Sequence, residues 1–435
     1  MSIRVSSARG GSSWTQRCGR ARRARARAPA DEDRPIAVLI DPPSWPAHGR
    51  QWSHLVSDVS LVELHAFAAA HGVPRRGFER DHYDVPDNSY GRLVAAGALP
   101  VSSRELVRRL SDSGLRRRKA VSMARRAAGT PLLRPSRLEL GDLVGVPATA
   151  GVVPADRLRR GIDRLESWGL RVRLGDHVLD ADPRLSYLAG SDTTRAAELT
   201  NAWMDPDVSG VMIARGGYGT QRVVDLLDWR RLAEAAPKVL VGFSDVTSLH
   251  QAFASRLGLA TVHSHVVTSL GAASRESAER LRRQLMEPES VHDLLAHSTV
   301  ETVVEGVAQG VLAGGNLALL AADLGTPFSR PGAGAIVLLE DIGEDTYQVD
   351  RSLTQLLRAG WFDGVSGLVL GEFTDCNDPV ELDSVLEARL APLVVPMVRH
   401  LDFGHTSTTC TMPLGVMATL DAGAGSLLLA RPALT

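Results

Sequence analysis

Four stretches of the chain carry residue types at spacings that could do chemistry. Gly242-Phe243-Ser244-Asp245 follows a short apolar run at 239–241 and precedes a helical pattern over 246–257. Strand, small residue, serine, helix is the layout of a nucleophile elbow, which exposes a hydroxyl at a helix N-terminus with the next N–H aimed at the same point. The fifth position is Val246 where that layout has glycine, and taken alone Ser244 reads more readily as an N-cap serine. Arg215-Gly216-Gly217-Tyr218-Gly219 closes an apolar run at 208–214. It lacks the third glycine of a dinucleotide fingerprint and the Gly-Lys-Ser/Thr of a P-loop, whereas a turn that presents backbone N–H groups to an anion also suits an oxyanion hole. Glu340 ends an apolar run at 335–339, and His405 lies in the loop Phe403-Gly404-His405-Thr406. Each read alone is a solvated carboxylate and a surface histidine. The fourth stretch gathers His48, His54, His65, His71 and His82 with Asp41, Asp58, Asp81 and Asp84. That density suggests a metal or acid–base site, but the spacing contains no HxH and no HExxH. His65 shares a helix face with Leu61, Leu64 and Ala68, where a satisfied core histidine is the commoner case. No metal ligand is assigned there.

These residues need elements to hold them. Residues 36–40 read as a buried strand stopped by Asp41-Pro42-Pro43, and Ser60-Leu61-Val62-Glu63 as a capping box opening a helix that ends at Gly72. This makes 34–115 a small α/β domain. From Gly141 the pattern alternates: a strand at 143–146, an amphipathic helix at 154–168, a strand at 170–174, a helix capped by Ser191, then the runs before the glycine turn and Ser244. Such alternation predicts a parallel, Rossmann-like sheet with helices on its faces over 138–290, with sites at the carboxyl ends of its strands. Residues 305–435 read as a mixed β-rich domain. It has a glycine-rich start and a Leu-Ala helix at 310–324, a strand at 335–339, a helix face of Val349, Leu353, Leu356 and Leu357, and strands at 367–370 and 425–430.

A serine nucleophile needs a base, and the base an orienting carboxylate. On Gly141-Asp142, Arg215-Gly216-Gly217-Tyr218-Gly219, Gly242-Phe243-Ser244-Asp245, Gly314-Gly315-Asn316-Leu317, Gly325-Thr326-Pro327, Leu339-Glu340-Asp341, and Gly404-His405-Thr406 with Pro413-Leu414-Gly415, the sequence over 138–432 resembles the LD-carboxypeptidase family of serine peptidases, which includes the microcin-immunity peptidases. The resemblance implies a triad with Ser244 as nucleophile, Glu340 as acid and His405 as base. It also implies an oxyanion hole from the backbone N–H of Asp245 and of the Gly216-Gly217 turn, Gly217 preferred. It further implies release of the terminal D-alanine from a murein tetrapeptide in cytoplasmic cell-wall recycling, without metal or cofactor, in an enzyme often found as a homodimer. The same triad would serve an amidase that opens peptide–nucleotide conjugates, and a non-catalytic nucleotide- or ligand-binding module is the reading from a different class. The sequence departs from the family at His263-Ser264-His265, where members often carry His-Gly-Pro. Residues 36–116 resemble a small bacterial domain of unknown function through Asp41-Pro42-Pro43, Trp45-Pro46-Ala47-His48-Gly49 and Asp81-His82-Tyr83-Asp84-Val85-Pro86.

Charge is unevenly divided. The net charge over 435 residues is −1, yet 1–30 hold eight arginines and no acid, and 115–137 hold seven arginines and Lys119 with no acid, leaving −17 on the remainder. The first stretch reads as a disordered basic tail (1–33) and the second as a linker (116–137). With acidic folded parts and Trp14 the single aromatic residue among the arginines of the two basic stretches, no nucleic-acid partner is expected. No apolar run reaches the length of a membrane span. Three cysteines, Cys18, Cys376 and Cys410, form no CxxC pair, which suits a reducing compartment.

Overall fold

The computed structural model describes residues 38–47, 49–79, 82–113, 129–296 and 298–435. The basic tail, residues 116–128 of the linker, His48 and Asp81 lie outside the described residues. The chain divides into two compact units, Met1–Arg118 and Lys119–Thr435.

The N-terminal unit is a small α/β domain built on a mostly antiparallel sheet. Its strands run in the order Phe78–Glu79, His82–Pro86, Arg50–Ser57, Val38–Ile40, Leu99–Pro100, with only the last pair parallel. Leu55, Tyr83 and Val85 face a core shared with Leu64, Ala68 and Leu93 of the helices Leu61–Ala70 and Asp87–Ala95. Leu39 and Val56, on the other face, pack under Leu106 and Leu110 of helix Ser103–Asp112. Ser60 caps its helix by accepting from the Glu63 N–H at 3.1 Å. The expected capping box is only half formed, because the Glu63 carboxylate instead accepts from the Ser57 hydroxyl, which in turn takes the Ser60 N–H at 3.1 Å.

The C-terminal unit contains two sheets. The first has five parallel strands in the spatial order Arg171–Leu174, Leu143–Val146, Val208–Met212, Val239–Gly242, Thr261–His263. In chain order this is 2-1-3-4-5, a doubly wound arrangement whose sites lie at the carboxyl edge. A sixth, antiparallel strand, Met412–Leu414, arrives from the far end of the chain. Helices Ala155–Ser167 and Arg275–Met286 bury Leu158, Ile162, Leu165 and Leu281 against one face, and helices Asp192–Met204 and Thr247–Arg256 bury Leu199, Trp203, Leu249 and Phe253 against the other. Each such side chain contributes about 1.5–3 kcal/mol relative to exposure. Burial on both faces is why Leu143–Val146 and Val239–Gly242 read as continuous apolar runs, whereas the edge strand Arg171–Leu174 is mostly exposed.

The second sheet is mixed, with seven strands in the order Glu301–Val304, Met397–Arg399, Gly367–Thr374, Ala335–Ile342, Val307–Asn316, Met417–Asp421, Ser426–Leu429. Three neighbouring pairs in its centre are parallel and the outer pairs antiparallel. The glycine-rich start at 310 is the long strand Val307–Asn316, and the Leu-Ala helix is the short segment Leu317–Ala322 that follows it. Among the described residues no helix is long and apolar enough to cross a membrane.

Candidate active site

Ser244 lies just beyond the carboxyl end of strand Val239–Gly242, at the start of a single 3-10 turn, Ser244–Val246, that leads into helix Thr247–Arg256. Its φ of +64° puts a non-glycine residue in the left-handed region, at a cost of about 1–3 kcal/mol that persists only where surrounding packing enforces it. Val246 occupies the elbow's fifth position without conflict because the first position is glycine: a Cβ on Gly242 would lie 2.9 Å from the Val246 methyl groups. Ser244 does not act as a helix cap. Its Oγ lies 2.9 Å from His405 Nε2, and His405 Nδ1 lies 2.7 Å from Glu340 Oε2. A carboxylate only accepts, so Nδ1 carries the proton and the Nε2 lone pair faces the serine hydroxyl.

The surroundings hold this chain of contacts. Glu340, near the end of strand Ala335–Ile342, is fully buried, and the His405 side chain is 13% exposed. Gly404 has φ +118°, and a Cβ there would sit 2.7 Å from Glu340 Oε2, so the loop reaches the carboxylate only with glycine at this position. Phe243 lies against the His405 ring with centroids 4.8 Å apart. The neighbouring carboxylate has other work: Asp341 accepts from Asn316 Nδ2 at 2.8 Å and from the N–H groups of Ala318 and Ile342 at 2.9 Å. Burial, together with the Glu340 charge, pushes Asp341 up to about 6.

The glycine turn stands beside the serine. A Cβ on Gly216 would be 3.4 Å from Ser244 Oγ, and the Gly216 carbonyl accepts from the Gly151 N–H at 3.1 Å. Among the described residues the Gly217 N–H makes no backbone hydrogen bond. Asp245, also buried, accepts from the Thr220 N–H at 2.7 Å and so ties the glycine turn to the serine turn; burial pushes its carboxyl up to about 6 despite that bond. The buried Arg195 guanidinium donates to the Gly219 carbonyl at 2.9 Å, clamping the same turn from below.

Several positioning residues were not picked out as site residues from the sequence. Thr247 Oγ1 accepts from the Asn316 N–H at 3.0 Å, joining the helix after Ser244 to the second sheet. The His263-Ser264-His265 segment braces the two sides. The Ser264 N–H donates to the Gly242 carbonyl at 3.1 Å, and its hydroxyl lies 2.9 Å from Thr411 Oγ1. His265 Nε2 donates to Ser277 Oγ at 2.9 Å, Ser277 donates to the Thr409 carbonyl at 2.6 Å, and Thr409 Oγ1 accepts from the Gly404 N–H at 2.9 Å. The departure from His-Gly-Pro was the one signal in the sequence that pointed to this segment.

Residues 144–264 match the LD-carboxypeptidase N-terminal domain and 309–420 the LD-carboxypeptidase C-terminal domain, while 38–113 match a protein family of unknown function (DUF4031). A Streptomyces coelicolor protein that carries a carboxypeptidase name is 50% identical over 305 residues, 70% of this chain and 98% of that protein. The murein tetrapeptide carboxypeptidase of Pseudomonas aeruginosa is 36% identical over 289 residues, 64% of this chain and 92% of that enzyme. The crystal structure of muramoyltetrapeptide carboxypeptidase from Oxalobacter formigenes has a TM-score of 0.56 at 30% identity, covering 66% of this chain and 97% of that one. The microcin C7 self-immunity protein MccF shares the fold, with a TM-score of 0.62 at 21% identity over 70% of this chain and all of that one. By these matches the chain belongs to the LD-carboxypeptidase family of serine peptidases.

Proposed function

We propose that this carboxypeptidase removes the terminal D-alanine from murein tetrapeptides during cytoplasmic cell-wall recycling, through an acyl-enzyme on Ser244. The observation that carries the reading is the hydrogen-bonded chain from Ser244 through His405 to the buried Glu340. His405 Nε2 takes the serine proton as Oγ attacks the scissile carbonyl. Glu340 keeps the ring in the required tautomer and stabilises the imidazolium that forms. The oxyanion is met by the backbone N–H groups of Asp245 and Gly217, which replace water without reorganising as charge develops. His405 then protonates the departing amine of D-alanine, and deprotonates the water that releases the shortened peptide and restores Ser244. The names of the Pseudomonas aeruginosa and Oxalobacter formigenes relatives support a murein peptide substrate.

The test is D-alanine release from a defined murein tetrapeptide. Ser244→Ala should lower turnover by about 10⁶-fold while the protein stays folded, since the nucleophile is lost outright. Release at the wild-type rate by that variant would remove the assignment. The structure of MccF in complex with glutamyl sulfamoyl guanosine points to the competing substrate class. Faster turnover of an aminoacyl sulfamoyl nucleoside than of the tetrapeptide would transfer the same triad to conjugate hydrolysis.

A further inference from the structure

The histidines of the N-terminal unit are brought together by strand pairing. Strands Arg50–Ser57 and His82–Pro86 run antiparallel with His54 directly opposite Asp84. Side chains alternate across a sheet. Ser53, Leu55, Tyr83 and Val85 are therefore buried, while Trp52, His54, His82 and Asp84 share the opposite, partly open side. On that side His82 Nε2 lies 3.4 Å from Asp84 Oδ1 and His54 Nε2 lies 4.0 Å from the same oxygen. The two imidazole centroids are 5.2 Å apart, and one ligand atom from each of the three residues falls within 4.8 Å of the others. Bonds of about 2.0–2.2 Å to a tetrahedral ion put donors about 3.4 Å apart, so small side-chain adjustments bring all three into range.

A second observation lies behind His54. Asp41, whose side chain is 3% exposed, accepts from His54 Nδ1 at 3.0 Å and from the Ser103 hydroxyl at 2.7 Å. With its proton committed to Asp41 at Nδ1, His54 turns the Nε2 lone pair toward His82 and Asp84. A buried carboxylate gripping the rear nitrogen is the arrangement that orients histidine ligands in metal sites. Asp41 also accepts from the His54 backbone N–H at 2.5 Å, so it fixes the residue as well as its ring.

We propose that His54, His82 and Asp84 form a mononuclear divalent transition-metal site in the N-terminal unit, with Asp41 as the residue that orients His54. Two imidazoles and one carboxylate suit zinc and similar ions, whereas magnesium and calcium prefer all-oxygen sites. Side-chain exposures of 32% for His54, 24% for His82 and 42% for Asp84 leave room for an ion to enter. Three protein ligands keep at least one coordination position for water or an oxygen-bearing ligand. A groove lined by Trp45, Trp52, Pro74 and Gly77 runs up to Asp84 and could seat such a ligand.

The test uses the untagged full chain, stripped with chelator and titrated calorimetrically with Zn²⁺ and, separately, with Mg²⁺. One Zn²⁺ per chain at micromolar or tighter affinity, without Mg²⁺ binding, is expected. His82→Ala and Asp84→Asn should each weaken Zn²⁺ by at least about tenfold, and Asp41→Asn by about 10–100-fold although it does not touch the ion. Circular dichroism checks the fold of each variant. In the wild-type protein, Co²⁺ should shift the ring proton resonances of His54 and His82, a readout that requires no substitution. Absence of saturable Zn²⁺ binding, unshifted His54 and His82 resonances, or unchanged affinity in the folded His82→Ala and Asp84→Asn variants would each overturn the proposal.

Discussion

Each of the two units contains a histidine whose Nδ1 is held by a buried carboxylate, and the two differ in what the other ring nitrogen meets. In the C-terminal unit Glu340 holds His405 at 2.7 Å, and Nε2 faces the Ser244 hydroxyl at 2.9 Å. In the N-terminal unit Asp41 holds His54 at 3.0 Å, and Nε2 faces Asp84 and His82. The carboxylate sets the tautomer in both. The third group decides what the Nε2 lone pair can do: beside a hydroxyl it can take a proton, and beside a second imidazole and a carboxylate it can share a cation. Access differs to match. His405 is nearly closed off, which strengthens its electrostatic interactions, whereas His54 sits on an open sheet face that an ion can reach from water.

The largest effect that would break this comparison comes from replacing the carboxylate in the enclosed pair. Glu340→Gln should lower kcat/KM for D-alanine release by about 10⁴-fold, because an amide can hold the imidazole in the tautomer that turns an N–H toward Ser244. A loss below about tenfold would mean that Glu340 only packs. The corresponding change in the open pair, Asp41→Asn, should leave D-alanine release within about twofold of wild type and act only on Zn²⁺ affinity. A parallel loss of hydrolysis would couple the two centres and end their treatment as separate.

The same contrast explains what was legible in the sequence. The doubly wound sheet could be read because its central strands, such as Leu143–Val146 and Val239–Gly242, are buried on both faces and appear as apolar runs between helices. Ser244 was visible through its local motif, but Glu340 and His405 were not visible from spacing. They gained their roles only from the order of several motifs, and nothing local distinguished Glu340 from the adjacent Asp341. The strand Val307–Asn316 was hidden by glycines, which weaken the period-2 pattern. The metal-ligating cluster was hidden for a different reason. Arg50–Ser57 and His82–Pro86 are half-open strands rich in polar residues, and the pairing of His54 with Asp84 spans a long stretch of chain, so no short motif records it. Conversely His263 and His265 have the HxH spacing of a ligand pair, yet both are buried.

That burial gives the smallest and most specific prediction, because it separates enclosed histidines from open ones by their response to acid. Burial lowers His265 to about 4, opposed only by the charge of Asp402; its other near neighbours are the hydroxyls of Ser269 and Ser277 and the ring of Phe243. A folded-state pKa below the unfolded value of about 6.5 means that the fold prefers the neutral ring. The resulting stability is fully present above pH 6.5 and is lost as pH falls through about 4. Asp245 and Asp341, both raised to about 6, act in the opposite direction, since their contribution is present below about 4 and fades as pH rises through 6. The wild-type curve therefore mixes the two effects, and the informative quantity is a difference. His265→Gln keeps a donor for Ser277 and does not titrate. The stability of wild type relative to this variant, from denaturant unfolding, should fall by about 3 kcal/mol between pH 7 and pH 4. A difference that stays constant across that range would show that burial does not hold the His265 ring neutral.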